Sequence, residues 1–257
     1  MHKLQTIGLL TGWLTIAAAA SAATRYQPEI VESFPHDPGA FTQGLVYAGG
    51  VFYESVGRYG ESALRRVEPD SGEVLAERRL ADRYFGEGLA LVGERLVQLT
   101  WKAGRGFVYD RETLERVGEF RYQGEGWGLA YDGERLILSD GSDVLRFLNP
   151  VDFRETGRLT VRLRGRPVPR LNELEYVDGE IWANLWPSDR IARIDPESGE
   201  VTGVIDAGNL RKTIPTVYRM AALNGIAHDP ATGRIFLTGK WWPRLFEVRL
   251  RELPSLE

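Results

Sequence analysis

The chain contains no cysteine, only three histidines and two methionines, and no tract of basic residues. The absence of cysteine excludes disulfides, thiolate metal sites and cysteine nucleophiles. The histidines (His2, His36 and His228) are scattered, and no cluster of histidine, aspartate and glutamate has metal-ligand spacing. A formal net charge of −4 without a basic stretch does not favour nucleic acid as a partner. The sequence therefore predicts no metal and no cofactor, and it leaves only a structural ion open.

Long apolar runs are absent after the first two dozen residues. At the start of the chain, Lys3 precedes an apolar run from Ile7 to Ala20, and the small residues Ser21-Ala22-Ala23 follow. This is the pattern of a secretory signal peptide, and the run is short for a membrane span of about 20 residues. We expect residues 1–23 to be removed by cleavage at about 20–23. Residues 24–257 would then form one exported domain, periplasmic or extracellular, with no contact to a membrane.

A five-residue pattern occurs five times along the rest of the chain. The copies are Phe41-Thr-Gln-Gly-Leu45, Phe85-Gly-Glu-Gly-Leu89, Glu125-Gly-Trp-Gly-Leu129, Leu171-Asn-Glu-Leu-Glu175 and Leu223-Asn-Gly-Ile-Ala227. Their spacing of roughly 40–50 residues is typical of repeat architectures. The position before the shared glycine, here called the slot, holds Gln43, Glu87, Trp127, Asn172 and Asn224. In the fourth copy Glu173 replaces the glycine.

Short alternating segments separated by turn residues follow each copy, and no amphipathic helical stretch interrupts them. After the first copy the predicted strands are Gly44–Tyr47, Val51–Ser55, Ser62–Val67 and Val74–Arg79. The last unit offers only three strands, and its fourth has a candidate at the other end of the chain, in Tyr26–Phe34. The sequence predicts an all-β fold, a five-bladed β-propeller whose N-terminal strand completes the last blade. An open solenoid would need polar caps at both ends, and none is visible.

Several residues near the slots could carry chemistry, and each has a structural alternative. Glu87, between two glycines, is either a general acid/base with a raised pKa or an acceptor for backbone N–H groups at a strand entry. Trp101, Trp127 and Trp186 either pack between blades or line a pocket. Lys240, beside two tryptophans, is either solvated or directed into that pocket. Asn172 and Gln43 either cap strand ends or bind a ligand amide.

The chain resembles the plant-type and bacterial glutaminyl-peptide cyclotransferase family in eight motifs that occur in order. They are Phe41-Thr-Gln-Gly-Leu45, Phe85-Gly-Glu-Gly-Leu89, Gln98-Leu-Thr-Trp101, Gly126-Trp-Gly-Leu129, Leu171-Asn-Glu-Leu-Glu175, Trp182-Ala-Asn-Leu-Trp186, Leu223-Asn-Gly-Ile-Ala227 and Thr238-Gly-Lys-Trp-Trp-Pro243. The resemblance runs from about Phe34 to Leu250, and it too implies a five-bladed propeller. It implies an acyltransferase that cyclises the N-terminal glutaminyl residue of peptides or proteins to pyroglutamyl, with loss of ammonia.

The resemblance also assigns residues to roles. It makes Glu87 the acid/base and Lys240 a second catalytic residue, and it places seven further side chains in the substrate pocket: Phe41, Gln43, Phe85, Trp101, Trp127, Asn172 and Trp186. Lys240, Gln43 and Asn172 are the candidate donors to the developing oxyanion. Asn224 and Glu173 are expected behind the pocket lining, and Trp241 receives no role. We expect a monomer.

Two other functions fit the sequence pattern. One is a metal-dependent, lactonase-like propeller in which Glu87, Asn172, Glu173 and Asn224 surround a central ion. The other is a non-catalytic propeller whose tryptophan-lined mouth binds a peptide or a sugar. The first predicts sensitivity to chelators, and the second predicts no ammonia release from any glutaminyl peptide.

Overall fold

The structure is a computed structural model that describes residues 23–215 and 221–254. The predicted signal peptide, up to residue 22, lies outside the described residues. In the described ranges no helix has the length and apolar character needed to cross a membrane.

Antiparallel strands form almost the whole fold, beginning with β1 (Thr24–Pro35). The first unit contains β2 (Thr42–Ala48), β3 (Val51–Val56), β4 (Ala63–Val67) and β5 (Val74–Arg79). The second contains β6 (Gly86–Val92), β7 (Arg95–Thr100), β8 (Arg105–Asp110) and β9 (Arg116–Arg121). The third contains β10 (Leu129–Tyr131), β11 (Leu136–Leu138), β12 (Val144–Leu148) and β13 (Glu155–Thr160). A small hairpin of β14 (Arg162–Leu163) and β15 (Arg166–Pro167) follows.

The remaining strands form one eight-stranded sheet together with β1. The fourth unit contains β16 (Leu171–Val177), β17 (Glu180–Leu185), β18 (Arg190–Ile194) and β19 (Val201–Asp206), and the one-turn helix α1 (Gly208–Arg211) follows. The fifth contains β20 (Leu223–Asp229), β21 (Arg234–Gly239) and β22 (Arg244–Glu252). β1 pairs antiparallel with β22, so the N-terminal strand supplies the fourth strand of this unit. It also pairs in parallel with β19, which joins the two units.

The first strands of the five units are neighbours in a closed series. β2 lies beside β6 and β20, β10 lies beside β6 and β16, and β16 lies beside β20. The two end strands of the eight-stranded sheet, β16 and β20, therefore meet. The slot positions lie on or directly before these first strands, so the five strand entries are brought together.

Two glycines show why the first strands can approach so closely. A Cβ atom on Gly44 would lie 2.5 Å from the backbone nitrogen of Leu89, and one on Gly88 would lie 2.4 Å from that of Leu129. Real Cβ atoms do not tolerate such distances, so the shared glycine of the repeat lets consecutive strands pack backbone to backbone.

The hydrophobic core is divided into layers between consecutive units. Four clusters of buried side chains lie between consecutive units, and each cluster contains residues of the two units on either side of it. Together they cover the series from the first unit to the fifth. A further cluster joins the fifth unit to the first, with Phe236 and Leu245 packed against Leu45 and Phe52. The inner strands of each sheet are thus buried on both faces, whereas outer strands such as β5 and β9 are largely exposed.

The predicted strands of the first unit match β2–β5 to within two residues at each end, and the partner predicted for the last strand, Tyr26–Phe34, coincides with β1. Neither α1 nor the β14–β15 hairpin is predicted from the sequence. Both are too short for a periodic pattern to indicate them.

Candidate active site

A β-bulge occurs at the slot in four of the five units. The pairing register shifts between Thr42 and Gly44 in the first unit and between Gly86 and Leu89 in the second. Equivalent shifts flank Asn172 and Asn224. A bulge interrupts the alternation of side chains and re-aims the residue within it, and bulges are frequent beside active sites. The repeated motif therefore presents one side chain per unit at the shared end of the strands.

Nine side chains surround one cavity of about 270 Å³ at this end. They are Phe41, Gln43, Phe85, Glu87, Trp101, Trp127, Asn172, Trp186 and Lys240. These are the nine residues that the sequence analysis predicts for catalysis and substrate binding. The structure brings all of them together, although they come from all five units of the chain.

Glu87 is a buried carboxyl, only 4% exposed. Burial raises its pKa well above the ordinary value, and the negative charge of Glu125 acts in the same direction. Lys240 and a hydrogen bond from Gln43 oppose this effect without cancelling it. A carboxyl with a raised pKa can hold a proton and release it to a nearby base, as a general acid/base requires.

Lys240 is also buried, only 4% exposed, in the turn that follows β21. Burial lowers its pKa to about 8, whereas Glu87 and Glu173 favour its charged form. The Nζ atom donates a hydrogen bond to Gln43 Oε1 and lies 4.5 Å from the centre of the Phe41 ring. The backbone nitrogen of Lys240 donates to Ala222 O at 2.9 Å, which holds the turn against the fifth unit. The lysine is therefore directed into the pocket.

Gln43 connects the polar groups at the base of the pocket. Its Oε1 accepts from Lys240 and, at 3.3 Å, from Asn224 Nδ2. Its side chain also hydrogen-bonds to Glu87. Asn224 does not line the cavity; it lies behind Gln43 and donates to Thr42 O at 3.0 Å. The amide orientation of Gln43 is thereby fixed by its neighbours.

Aromatic rings form the walls of the pocket and contact one another edge to face. Phe85 lies 6.0 Å from Phe41 and 5.6 Å from Trp101 between ring centres. On the other side, Trp127 and Trp186 lie 6.0 Å apart and perpendicular to each other. Such contacts give rigid apolar walls that limit the access of water.

Two polar residues of β16 have different environments. Asn172 lines the pocket, and its buried Oδ1 has no hydrogen-bond partner among the residues that the structure describes. It is free to accept from a bound ligand. Glu173 does not line the pocket; its Oε2 accepts from the backbone nitrogen of Ile226 at 2.9 Å. Burial raises the pKa of Glu173 well above the ordinary value, and Glu175 adds to this.

Glu125 is one residue of the site that the repeat pattern does not predict. Glu125 accepts hydrogen bonds on Oε2 from the indole nitrogens of Trp101, at 2.7 Å, and Trp127, at 2.9 Å. Its position, two residues before the slot, holds Phe41 and Phe85 in the first two copies. A carboxylate in place of an apolar side chain is a departure that marks a local function.

Within residues 23–215 and 221–254 no three His, Asp or Glu side chains are grouped so that they could hold a metal ion. Of the residues that the metal-dependent alternative places around an ion, Glu87 and Asn172 line the pocket, whereas Glu173 and Asn224 lie behind its lining.

The fold and the pocket define an all-β protein with a site of enzymatic type, a buried carboxyl and lysine at the base of a small aromatic chamber. The chain belongs to the glutamine cyclotransferase family, whose sequence profile matches residues 4–250. It is 46% identical over 228 residues to the glutaminyl-peptide cyclotransferase of Arabidopsis thaliana. The aligned region covers 87% of this chain and 71% of the plant protein.

A solved structure is similar over nearly the whole fold. The crystal structure of Myxococcus xanthus glutaminyl cyclase matches with a TM-score of 0.86 and 44% identity, over 90% of this chain and 100% of the other. The family predicted from the eight motifs is confirmed.

Proposed function

We propose that this protein converts the N-terminal glutaminyl residue of a peptide or protein into a pyroglutamyl residue and releases ammonia. The observation that carries the proposal is Glu87, a buried carboxyl of raised pKa at the base of an aromatic pocket of about 270 Å³. A cavity of this size is at the lower limit for small-molecule sites, so it suits a single residue better than a longer segment. The names of the two similar proteins agree with this chemistry.

The reaction joins two groups of one substrate residue. The α-nitrogen attacks the δ-carbon of the side-chain amide, a carbon–nitrogen bond forms, and the bond to the side-chain nitrogen breaks. Because both groups belong to one residue, a pocket that holds the side chain folded back supplies much of the rate through proximity. The aromatic walls around Trp101 and Trp127 would hold this conformation and exclude water, which favours cyclisation over hydrolysis.

Glu87 transfers the proton in this scheme. Its carboxylate accepts a proton from the attacking α-nitrogen and returns it to the leaving nitrogen, which departs as ammonia. An α-amino group titrates near pH 8. The pKa of the Glu87 carboxyl is raised and therefore lies closer to the pKa of the amine. Proton transfer between the two groups becomes easier in both directions as a result.

The polar groups around Glu87 stabilise charge and orient the amide. Lys240 Nζ and the side-chain amides of Gln43 and Asn172 line the pocket and are the candidate donors to the reacting carbonyl. Preorganised donors of this kind stabilise a developing oxyanion more strongly than water does. The unpartnered Oδ1 of Asn172 is suited to accept from the substrate's amine or amide nitrogen.

We further propose that the five units form a five-bladed β-propeller, with β1 completing the last blade. The closed series of first strands and the five core layers between consecutive units support this architecture. The proposed mature protein is a monomer of residues 24–257, exported to the periplasm or the exterior. The apolar run from Ile7 to Ala20 supports the export.

Incubation of the mature protein with a dipeptide that begins with glutamine tests the activity. We expect release of one ammonia, with the corresponding loss of mass, and no effect of a chelator. Glu87→Gln should lower turnover by about 10²-fold or more with folding intact, because the acid/base is removed. The same dipeptide with an acetylated α-amine should be inert, because it lacks the nucleophile.

Other outcomes separate the alternatives. Ammonia released from the acetylated peptide would identify an amidase, and loss of activity with a chelator would favour the metal-dependent enzyme. Binding of glutaminyl peptides without any ammonia release would indicate a non-catalytic binding protein. Wild-type turnover in Glu87→Gln would overturn the role of Glu87.

A further inference from the structure

The carboxylate of Glu125 connects the two tryptophan walls that come from different units. Trp101 follows β7 in the second unit, and Trp127 precedes β10 in the third. One oxygen of Glu125, Oε2, accepts from both indole nitrogens. Each of these two rings therefore has its only polar atom bound to the same acceptor at the mouth of the pocket.

The surroundings of Glu125 hold it in place. The backbone nitrogen of the next residue, Gly126, donates to Trp101 O at 3.0 Å. A Cβ atom on Gly126 would lie 2.5 Å from the hydroxyl oxygen of Tyr122, so the backbone here is closely packed. Lys102 Nζ lies 3.9 Å from Glu125 Oε1 and 4.0 Å from the centre of the Trp101 ring. The backbone next to Glu125 is therefore fixed by its packing, and the ammonium of Lys102 lies on the solvent side of the carboxylate.

We propose that Glu125 is a positioning residue for the cyclisation, because its carboxylate fixes the planes of Trp101 and Trp127 and thereby shapes the pocket in which the glutaminyl side chain folds back. This inference rests on the proposed function of the site. Glu125 acts through the two indoles and does not line the cavity itself. Without its acceptor, each indole N–H would have to turn toward water to be satisfied.

Misplaced walls would affect the chemical step more than binding. The apolar contact area of the indoles remains available to a substrate whichever way the rings turn. The folded-back conformation, however, depends on walls at defined positions, and small displacements of a reacting group cost large factors in rate. The change should therefore appear in kcat more than in KM.

Besides accepting the two indole hydrogen bonds, Glu125 affects the pKa of Glu87 through its charge. A substitution that keeps the acceptor oxygen and removes the charge separates the two effects. Within the pocket, Glu87 interacts with Lys240 and Gln43. The charges of Glu125 and Glu87 also interact, and Tyr122 lies within electrostatic range of Glu87. Lys102 is the charged neighbour of Glu125. The negative charge of Glu125 helps to raise the pKa of Glu87. Its removal favours the carboxylate form of Glu87, so the pKa of Glu87 should fall.

Two substitutions of Glu125 test the proposal on the mature protein with a glutaminyl dipeptide. Glu125→Ala removes both the acceptor and the charge, and we expect kcat to fall roughly 10- to 100-fold with a smaller change in KM. Glu125→Gln keeps an acceptor oxygen but not the charge, and kcat should stay within about threefold of wild type. In both variants the acidic limb of the kcat/KM profile should move to lower pH.

Glu119→Gln is the matched control, because Glu119 is a half-exposed carboxylate on β9 that pairs with Arg105 away from the pocket. It should leave kcat, the pH profile and tryptophan fluorescence at wild-type values. Tryptophan emission and its quenching by acrylamide should change in Glu125→Ala and much less in Glu125→Gln, at thermal midpoints close to that of the control.

Wild-type kcat in Glu125→Ala, or an equal loss in both Glu125 variants without a shift of the acidic limb, would overturn the positioning role. If Glu125→Ala fails to fold, Glu125→Gln still decides, since a kcat more than about tenfold below wild type in that variant contradicts a role that needs only an acceptor oxygen. Failure of the proposed function is distinguishable, because wild type itself would then release no ammonia.

Discussion

Asn224 Nδ2 lies 3.3 Å from Gln43 Oε1 and joins the slot residues of the fifth and first units behind the pocket. The same nitrogen donates to Thr42 O at 3.0 Å. Asn224 is buried and has no contact with the cavity, so its influence on the site must pass through the amide of Gln43.

Asn224→Ala should therefore reduce activity while leaving the fold intact. We expect a loss of stability of roughly 1–2 kcal/mol from the buried hydrogen bonds, and a fall in kcat/KM of about tenfold as the Gln43 amide loses its orientation. Urea unfolding and dipeptide kinetics measure the two effects. Asn209→Ala is the control, because Asn209 donates to Pro28 O at 2.7 Å far from the pocket. It should lose stability and keep wild-type kinetics; equal kinetics in both variants would contradict the role of Asn224.

Lys240→Met should make the protein more stable at neutral pH and much less active. Burial lowers the pKa of Lys240 from 10.5 to about 8, so the folded state binds fewer protons than the unfolded chain between these values. The unfolding free energy of wild type must therefore rise with pH across that window. Below pH 8 the buried ammonium costs roughly 3 kcal/mol, which the variant avoids.

We expect the stability gain of Lys240→Met to be largest at pH 7 and to shrink as the pH rises from 8 to 10.5. Turnover should fall by about 10²-fold, because a donor to the oxyanion is lost. Denaturant unfolding over this pH range is the measurement. The exposed Lys102, changed to methionine, should show no such pH dependence, and a gain for Lys240→Met that is constant with pH would disprove the expectation.

His36 should contribute to stability in a pH-dependent way. Its Nε2 lies 3.0 Å from Glu54 Oε1 and its Nδ1 lies 2.5 Å from Trp242 O, in the segment that carries Lys240. Burial lowers the pKa of His36, but the charge and hydrogen bond of Glu54 and the Trp242 carbonyl outweigh it, so the net shift is upward. The same pairing lowers the pKa of Glu54 against its burial.

A raised histidine pKa gives stability that is complete below the unfolded value of 6.5 and is lost as the pH rises through the folded value. The lowered pKa of Glu54 gives stability above 4.5 that is lost as the pH falls through its folded value. We expect His36→Gln to cost about 3 kcal/mol at pH 6, because it breaks a buried pair, and clearly less at pH 9. Equal losses at both pH values would show that the pKa of His36 is not raised in the folded state.

Gly88→Ala should prevent proper packing of the second and third units. The added methyl group would lie 2.4 Å from the backbone nitrogen of Leu129, which cannot move aside. We expect a loss of at least about 3 kcal/mol or failure to fold. In Gly118→Ala, the control, the nearest atom lies at 3.6 Å, so stability should change little. A stable, active Gly88→Ala protein would show that the first strands are not packed backbone to backbone.

Where the repeat makes positions comparable, the sequence predicts which residues meet at one pocket. Gln43, Glu87, Trp127 and Asn172 occupy one slot in successive copies, so a single alignment of motifs brings them to one end of the strands. The strands are predicted equally well, because apolar and polar residues alternate within β2–β5 and glycine-rich turns separate these strands. Trp186 and Lys240 lie outside the slot, and their assignment depends on the family resemblance.

Other parts of the site depend on pairings that no motif displays. The contact of Glu125 with Trp101 crosses from one unit to the next. The pairing of His36 with Trp242 joins two distant parts of the chain. The bulge at the slot is also hidden, because it arises from the register between neighbouring strands and not from the residues within one motif.

The pairing of β1 with β22 determines when the protein can close. The two strands face each other from Tyr26 opposite Glu252 to Pro35 opposite Arg244. A chain growing from its N-terminus can complete the first four units while β1 still exposes an unpaired edge. Only the last strand covers that edge and seals Phe34 and Phe236 into the layer between the fifth and first units. Closure is then a long-range step that depends on both ends of the chain, and non-local pairings of this kind slow folding.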